Sequence, residues 1–297
     1  MVTRQTSQTS GFTLARPGTL DEALALLKAH GAEACLLSGG TDLIVQLRAR
    51  KLAPRIVIDL KRVEDLRRDI TESESYLQIG GLALLADIIA DERILRHFPV
   101  LAEAASTVGS VQIRNRATLP GNICNASPAA DTVPALLVHD AVVNLVSPDG
   151  ERSVQLKEFF LGPGKTVRRS DEIVASIALP WNKTRVGAAF DRLTRRRGVD
   201  LASINVCCLV NASGLTRFAF GAVGPRPIVA DDASGRLADP TIDEQQMDHL
   251  IARIVEQTRP ISDVRASQEY RSAMLLVLSR RVLRESLRRL RRAGQGE

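Results

Sequence analysis

Leu36-Leu37-Ser38-Gly39-Gly40-Thr41-Asp42-Leu43 decides how this chain is read, together with Thr118-Leu119-Pro120-Gly121-Asn122-Ile123, which continues through Ser127-Pro128 to Asp131. Each stretch is a glycine-bearing turn followed within a few residues by an apolar, helix-like run. Glycine has no Cβ and accepts the dihedrals that expose backbone N–H groups in such a turn. A helix beginning just beyond it adds partial positive charge, which suits phosphate. One turn of this kind is a common corner. Two of them, on a chain with no Walker lysine and no G-x-G-x-x-G run, point to a pyrophosphate held from two sides.

Outward from these turns, strand and helix patterns alternate. Thr19-Leu20-Asp21-Glu22 forms a capping box ahead of a helix over 23–28, and Gly31 stands where a C-terminal helix glycine belongs. Leu36-Leu37 then reads as a buried strand entering the first glycine turn. Thr41 can cap a helix over 42–50, closed by Pro54. Residues 55–60, 76–79, 141–146 and 172–179 are strand-like, and 82–91, 100–108 and 134–138 helix-like. Pro148-Asp149-Gly150 is a turn signal. Past Pro180 the pattern shifts: 186–190, 204–211 and 218–223 resemble strands of a meander, with helices filling the rest. A domain boundary is therefore expected between Pro180 and Thr184, and there is no internal repeat or low-complexity tract.

Composition narrows the function classes. With 297 residues, 44% apolar and 25% charged, the chain is long enough for one large or two medium domains of ordinary globular character. No apolar run approaches the roughly 18 residues of a membrane span. Met1 to Gly11 is polar and lacks the apolar centre of an export signal, so the cytoplasm is the expected location. Cys35, Cys124, Cys207 and Cys208 have no metal-ligand spacing and read as buried free thiols; His30, His97, His139 and His249 are scattered. No metal site and no catalytic triad are expected on this chain. Much of the net charge of +6 lies in Arg280, Arg281, Arg284, Arg288, Arg289, Arg291 and Arg292, beside a stripe of Leu276, Leu283, Leu287 and Leu290. That pattern fits an amphipathic helix with a solvated basic face, or a subunit contact. Aromatics at 3% leave few stacking platforms for single-stranded nucleic acid, so none is expected as a partner.

Ser38-Gly39-Gly40-Thr41-Asp42-Leu43, the run Ile113-Arg114-Asn115-Arg116-Ala117-Thr118-Leu119-Pro120-Gly121-Asn122-Ile123, and Ser127-Pro128-Ala129-Ala130-Asp131 together resemble the flavin-binding subunit of the molybdenum hydroxylases. Xanthine dehydrogenase, carbon monoxide dehydrogenase and 4-hydroxybenzoyl-CoA reductase belong to that family. Later stretches are similar too: Phe160-Leu161-Gly162-Pro163-Gly164-Lys165-Thr166, Asp171-Glu172-Ile173, Phe220-Gly221-Ala222-Val223-Gly224-Pro225-Arg226-Pro227, and Ser262-Asp263-Val264-Arg265-Ala266-Ser267 with Tyr270-Arg271. The resemblance runs over about 12–287, nearly the whole chain.

What the resemblance implies is an α+β protein. A two-lobed α/β FAD-binding domain of the vanillyl-alcohol-oxidase (PCMH) type would occupy 1–182, with lobes at about 1–60 and 61–182. A smaller α+β domain with an antiparallel sheet and helices would occupy 183–297, of the carbon monoxide dehydrogenase flavoprotein type. FAD would lie between the lobes. Leu36, Leu37, Ser38, Gly39, Gly40, Thr41, Asp42 and Leu43 would wrap one side of its diphosphate, with Leu43 near the isoalloxazine edge. Thr118, Gly121 and Asn122 would hold the other side, Asp131 would serve the ribityl or adenosine portion, and Val108 and Val174 would line the pocket. Arg192 and the segment from Arg195-Arg196-Arg197 to Asp200 would run near the flavin. A carboxylate suits sugar hydroxyls, yet Asp131 could equally cap the helix before Pro134.

The family also implies partners: a large molybdopterin-binding subunit and a small subunit with 2Fe–2S clusters, assembled as a dimer of heterotrimers. This chain would be the FAD-dependent oxidoreductase subunit that passes electrons onward. Two features depart from the family pattern. Pro120 replaces the first glycine of a Gly-Gly pair and removes an N–H donor, and Asp191-Arg192 stand where a lysine is expected. No cysteine-rich insert for a further cluster is present. Two other readings remain open on the residues alone: a self-sufficient flavin oxidase, and a non-catalytic assembly subunit in which the turns are merely tight corners.

Overall fold

Residues 8–9, 11–239 and 241–294 are described by a computed structural model, and the elements fall where the apolar runs lie. The polar stretch ahead of Gly11 lies almost wholly outside the described residues. First come β1 (Gln8–Thr9), β2 (Phe12–Ala15), α1 (Leu20–His30), β3 (Ala34–Leu37), α2 (Leu43–Arg48) and β4 (Ile56–Asp59). Thr19 Oγ1 accepts the Glu22 amide at 3.3 Å, while the Glu22 carboxylate accepts the Gly18 amide at 2.8 Å. The expected capping box thus closes one residue early. β2, β4 and β3 pair in parallel, in the order β1-β2-β4-β3. β4 is central and buried throughout, as its unbroken β-branched run requires. β3 is an edge strand and only half-buried, which corrects the expectation of a buried strand; its outer side faces a cleft. The helix after the first glycine turn is shorter than 42–50, and Asp42, not Thr41, stands at its N-cap without a side-chain bond.

The middle of the chain supplies β5 (Ile70–Glu72), β6 (Tyr76–Gly80), α3 (Leu85–Ala90), α4 (Glu92–His97), α5 (Pro99–Ser106), α6 (Val111–Arg114), α7 (Leu119–Cys124), α8 (Thr132–Val138), β7 (Val142–Ser147) and β8 (Gly150–Gln155). It continues with α9 (Leu156–Phe159), β9 (Phe160–Gly162), β10 (Lys165–Thr166) and β11 (Ile173–Pro180). An antiparallel sheet runs β5-β6-β11-β7-β8. Leu77, Ile79, Val143 and Ile177 from that sheet share a core with Phe98, Leu101 and Leu136 of the helices. His139 is sealed in this region, edge-on to Phe98 at 5.0 Å. Burial pushes its pKa down to about 4. An unfolded histidine takes up a proton near pH 6.5, so stability held above that pH is lost as the pH falls towards 4. A displacement of this size is worth about 3 kcal/mol. Chemical denaturation of the wild type should show that loss between pH 7 and 4, and His139→Gln should flatten the slope; parallel pH profiles would refute it.

The last sheet, β12 (Val186–Leu193), β13 (Ile204–Asn211), β14 (Thr216–Gly221) and β15 (Ile228–Asp231), is an antiparallel meander in chain order. It is covered on both faces. Ile204, Val206, Cys208 and Val210 of β13 join a core with α10 (Glu244–Val255) and α11 (Gln268–Arg292). Cys207 and Leu209 turn the other way, into the core that α8 shares with the sheet. The adjacent cysteines therefore enter different cores, as a period of two dictates. Along α11 the packed stripe is Leu275, Leu278, Val282 and Leu283, with Ser279 and Ser286 fully enclosed. Leu276 is 37% exposed, so the leucine stripe read from sequence is out of phase by one residue at its start. The small serines, invisible to a leucine count, let the helix lie close on the sheet; Ser286 Oγ donates to the Cys208 carbonyl at 2.9 Å. The basic face is also not simply solvated. Arg280 grips Asp248, Arg284 pairs with Glu244, and Arg289 reaches Glu103 of α5 at 2.7 Å.

Candidate functional site

The two glycine turns, 80 residues apart in sequence, touch: Ser38 Oγ and Thr118 Oγ1 share a hydrogen bond of 2.9 Å. Gly39 lies so close to the second turn that a Cβ there would stand 2.1 Å from the Arg116 carbonyl oxygen and 2.9 Å from Ala117 Cα. Gly40 has φ of +79°, a left-handed conformation that suits glycine. Around this junction opens a cleft of about 780 Å³, ample for a dinucleotide-sized molecule.

Leu36, Ser38, Gly39, Gly40, Thr41, Asp42 and Leu43 line the cleft from one side; Val108, Thr118, Gly121, Asn122, Asp131, Val174 and Arg192 complete it. Leu37 is not among the lining residues. Its side chain tucks beneath the turn, with Cδ1 2.8 Å from where a Gly40 Cβ would stand. The side chains of Arg195 and Arg196 pair with Asp200 and are well exposed, and of that loop Asp200 and Leu201 reach the cleft.

The two turns contribute differently. Among the described residues, the amides of Gly39, Gly40 and Thr41 donate to no acceptor, which leaves three donors at the cleft. In the second turn the Gly121 amide is taken by Thr118 Oγ1 at 3.1 Å, the Leu119 amide by the Ala83 carbonyl, and Pro120 has none to offer. Thr118 thus caps α7 and braces the first turn. The cradle read from sequence as two-sided is, in its backbone donors, one-sided. Lys165 and Arg168 of the lining add positive charge.

Asp131 does not cap α8, although it stands at the capping position. Its carboxylate accepts from Arg192 at 2.6 Å, Asn205 at 2.9 Å and Thr107 at 3.1 Å. Burial pushes its carboxyl above the ordinary range, against the pull of Asn205, Arg192 and Thr107. Next to it the Ala222 amide donates to the Pro128 carbonyl at 2.6 Å. The meander sheet is therefore fastened directly to one wall of the cleft. Asp42 is likewise shifted upward by burial.

Sequence reasoning missed several lining residues. Cys35 and Cys124, read as buried, are half-buried at the cleft; burial raises both thiols, Cys124 to about 11, so both are protonated at neutral pH. Neither is an activated nucleophile. Asn205, which is not in the lining but stands behind Asp131, was readable: an amide inside the apolar run Ile204-Asn205-Val206-Cys207 needs a buried partner, and Asp131 supplies it. Lys165, quoted above only within a family-like stretch, and Arg168 just beyond β10 were not read as site residues, because only the fold brings the β9–β10 hairpin to the cleft.

Comparison with known proteins agrees along nearly the full chain. Residues 10–182 match the family described as the FAD binding domain in molybdopterin dehydrogenase, and residues 188–286 the CO dehydrogenase flavoprotein C-terminal domain. The chain is 32% identical over 277 residues to the xanthine dehydrogenase FAD-binding subunit of Escherichia coli O157:H7, covering 92% of this chain and 94% of that one. It is 29% identical to the carbon monoxide dehydrogenase medium chain of Hydrogenophaga pseudoflava, over 92% of this chain and 96% of that one. A solved carbon monoxide dehydrogenase chain from the same organism superposes with a TM-score of 0.88 at 28% identity, over 95% of this chain and 99% of that one.

Proposed function

This chain belongs to the family of FAD-binding domains in molybdopterin dehydrogenases, and from that premise we propose that it is the electron-transfer subunit of a multi-subunit molybdenum hydroxylase. In this reading it takes electrons from iron–sulfur clusters on a partner and passes them to an external acceptor. The observation that carries it is the Ser38–Thr118 contact, which closes two distant glycine turns onto one cleft of dinucleotide size. We assign 1–182 to a bipartite FAD-binding domain with lobes at about 1–60 and 61–182, and 183–297 to the C-terminal domain.

The cleft's own chemistry fits FAD. The open amides of Gly39, Gly40 and Thr41 bind the diphosphate, with Ser38 and Thr118 fixing their direction. Lys165 and Arg168 offset its charge, while Leu43, Val108 and Val174 give apolar walls that exclude water. Arg192, held by Asp131, keeps a guanidinium at the cleft without adding net charge there. When bound, FAD supplies the exchange between one-electron carriers and a two-electron acceptor. Among the described residues no group of three potential ligands could hold a metal. Substrate oxidation belongs to a large molybdopterin-binding partner and the clusters to a small iron–sulfur partner, the whole a cytoplasmic dimer of heterotrimers. Among the described residues no helix is long and apolar enough to cross a membrane.

The purified chain is expected to take up added FAD in equimolar amount, giving a flavin absorbance spectrum, and to turn over no hydroxylase substrate alone. Reduced partner subunits should bleach that spectrum. A chain that stays colourless refutes the reading; substrate turnover by the isolated chain would favour a self-sufficient oxidase.

A further inference from the structure

Behind the first glycine turn stands a lysine that does not itself line the cleft. β4 ends at Asp59, which is paired in register with Leu37, the last strand residue before the turn. The chain then bends through a short 3₁₀ turn, Leu60–Arg62, and Asp59 caps it: the carboxylate accepts the Lys61 amide at 3.2 Å. The same oxygen, Oδ1, accepts Lys61 Nζ at 2.5 Å. Asp59 is only 7% exposed, so it grips the lysine from a largely buried position. Held in this way at both ends, Lys61 reaches back to the turn, where Nζ donates to the Ser38 carbonyl at 3.4 Å. Leu60 lines the cleft; Lys61 does not.

That contact fixes more than one oxygen. A trans peptide is planar and carries its C=O and N–H on opposite sides. With the Ser38 oxygen turned to Lys61, the Gly39 N–H of the same peptide is turned away from it, to the cleft side. This amide is one of the three open donors. Glycine accepts either sign of φ, so Gly39 itself does little to resist a flip of this plane. The clamp has to come from outside. A cation on the oxygen also polarises the peptide and strengthens its N–H as a donor. Resting on the reading that the open amides hold the FAD diphosphate, we propose that Lys61 is a positioning residue for the cofactor: it locks the Ser38–Gly39 peptide with its N–H aimed at the diphosphate. Neutralising Asp59 is not enough to explain the lysine, because Arg16 Nε already stands 3.8 Å from Asp59 Oδ2.

The test titrates FAD and riboflavin separately into the FAD-free full chain, followed by quenching of flavin fluorescence. Riboflavin carries the ring system and ribityl chain without the diphosphate. Lys61→Met should weaken FAD binding about tenfold, the loss of one charge-assisted clamp, and leave riboflavin affinity within about twofold of the wild type. Melting temperature should hold, since Arg16 still serves Asp59. Lys61→Arg should recover most of the FAD affinity. The loss in Lys61→Met should persist at about 0.5 M salt, where a charge acting only through space is screened. Should Lys61→Met melt early, Lys61→Gln carries the same comparison: it stays polar beside Asp59 but is too short to reach Ser38. Unchanged FAD affinity, equal weakening of both flavins, no recovery with arginine, or a loss that vanishes in salt each overturns the clamp. Gly39→Val separates this from the site reading. If that variant binds FAD normally, the turn does not hold the diphosphate; if it fails to bind while Lys61→Met binds normally, only the clamp falls.

Discussion

Gly39→Val is expected to abolish FAD binding at micromolar cofactor, weakening it at least a hundredfold, the equivalent of about 2.7 kcal/mol. The reason is the neighbour, not the dihedral. A Cβ at this position meets the Arg116 carbonyl oxygen at 2.1 Å and Ala117 Cα at 2.9 Å, and both are backbone atoms that no rotamer change can move aside. Relief requires the first turn to retreat from the second, which breaks the Ser38–Thr118 contact and swings the open amides of Gly39, Gly40 and Thr41 off line. Overpacking of this kind also costs about 1–3 kcal/mol of stability. Gly40→Ala should be milder. There the nearest obstacle is the end of the Leu37 side chain, and left-handed backbone costs a non-glycine residue about 1–2 kcal/mol. Titration of the apo chain with FAD, followed by quenching of flavin fluorescence, measures both. An affinity for Gly39→Val within twofold of the wild type would mean the turns do not act as one site.

How much of this was legible in the residues differs by level. Many strands and helices were visible because apolar periodicity is local: β4, β11, β13 and β14 lie within two residues of where their apolar runs place them, whereas β12 runs on to Leu193 and β15 was not read from the sequence. The lining of the cleft was visible for the two turns because glycine, threonine and proline mark corners by their own conformational limits. Misreadings arose where a partner distant in sequence decides the outcome. Asp131 obeys helix-capping spacing, but Arg192 and Asn205 draw its carboxylate away from the helix. The Gly121 amide is instead a local miss: Thr118, three residues back, caps α7 and takes it. Leu276 fitted a leucine stripe, whereas the true contact face includes Ser279 and Ser286, whose smallness matters more than their polarity. Cys35 and Cys124 read as core thiols because nothing in a strand or helix pattern says which edge another lobe will leave uncovered.

The Asp131 cluster also predicts an energetic asymmetry that a two-residue experiment can expose. Burial raises the Asp131 carboxyl above the ordinary range even with Asn205, Arg192 and Thr107 donating to it. The pair is a fastening with a direction: it ties β12 and β13 to the cleft wall at residue 131. Removing one end is still severe. Asp131→Ala leaves the Arg192 guanidinium in a largely enclosed position with its short contact gone, and a broken buried pair costs about 3–5 kcal/mol. Asn205 Nδ2 and Thr107 Oγ1 lose the Asp131 acceptor at the same time and are left with the Ala130 and Ala104 carbonyls. Replacing both ends, as in Asp131→Ala with Arg192→Met, eliminates the stranded charge, so the double variant should be more stable than Asp131→Ala alone. FAD affinity should not recover in parallel, because the wall stays unfastened in both. Denaturant unfolding of the wild type, both single variants and the double variant gives the coupling energy directly. Additive losses, with the double variant the least stable of the four, would show that Asp131 and Arg192 act independently and that the meander sheet is held to the cleft by packing alone.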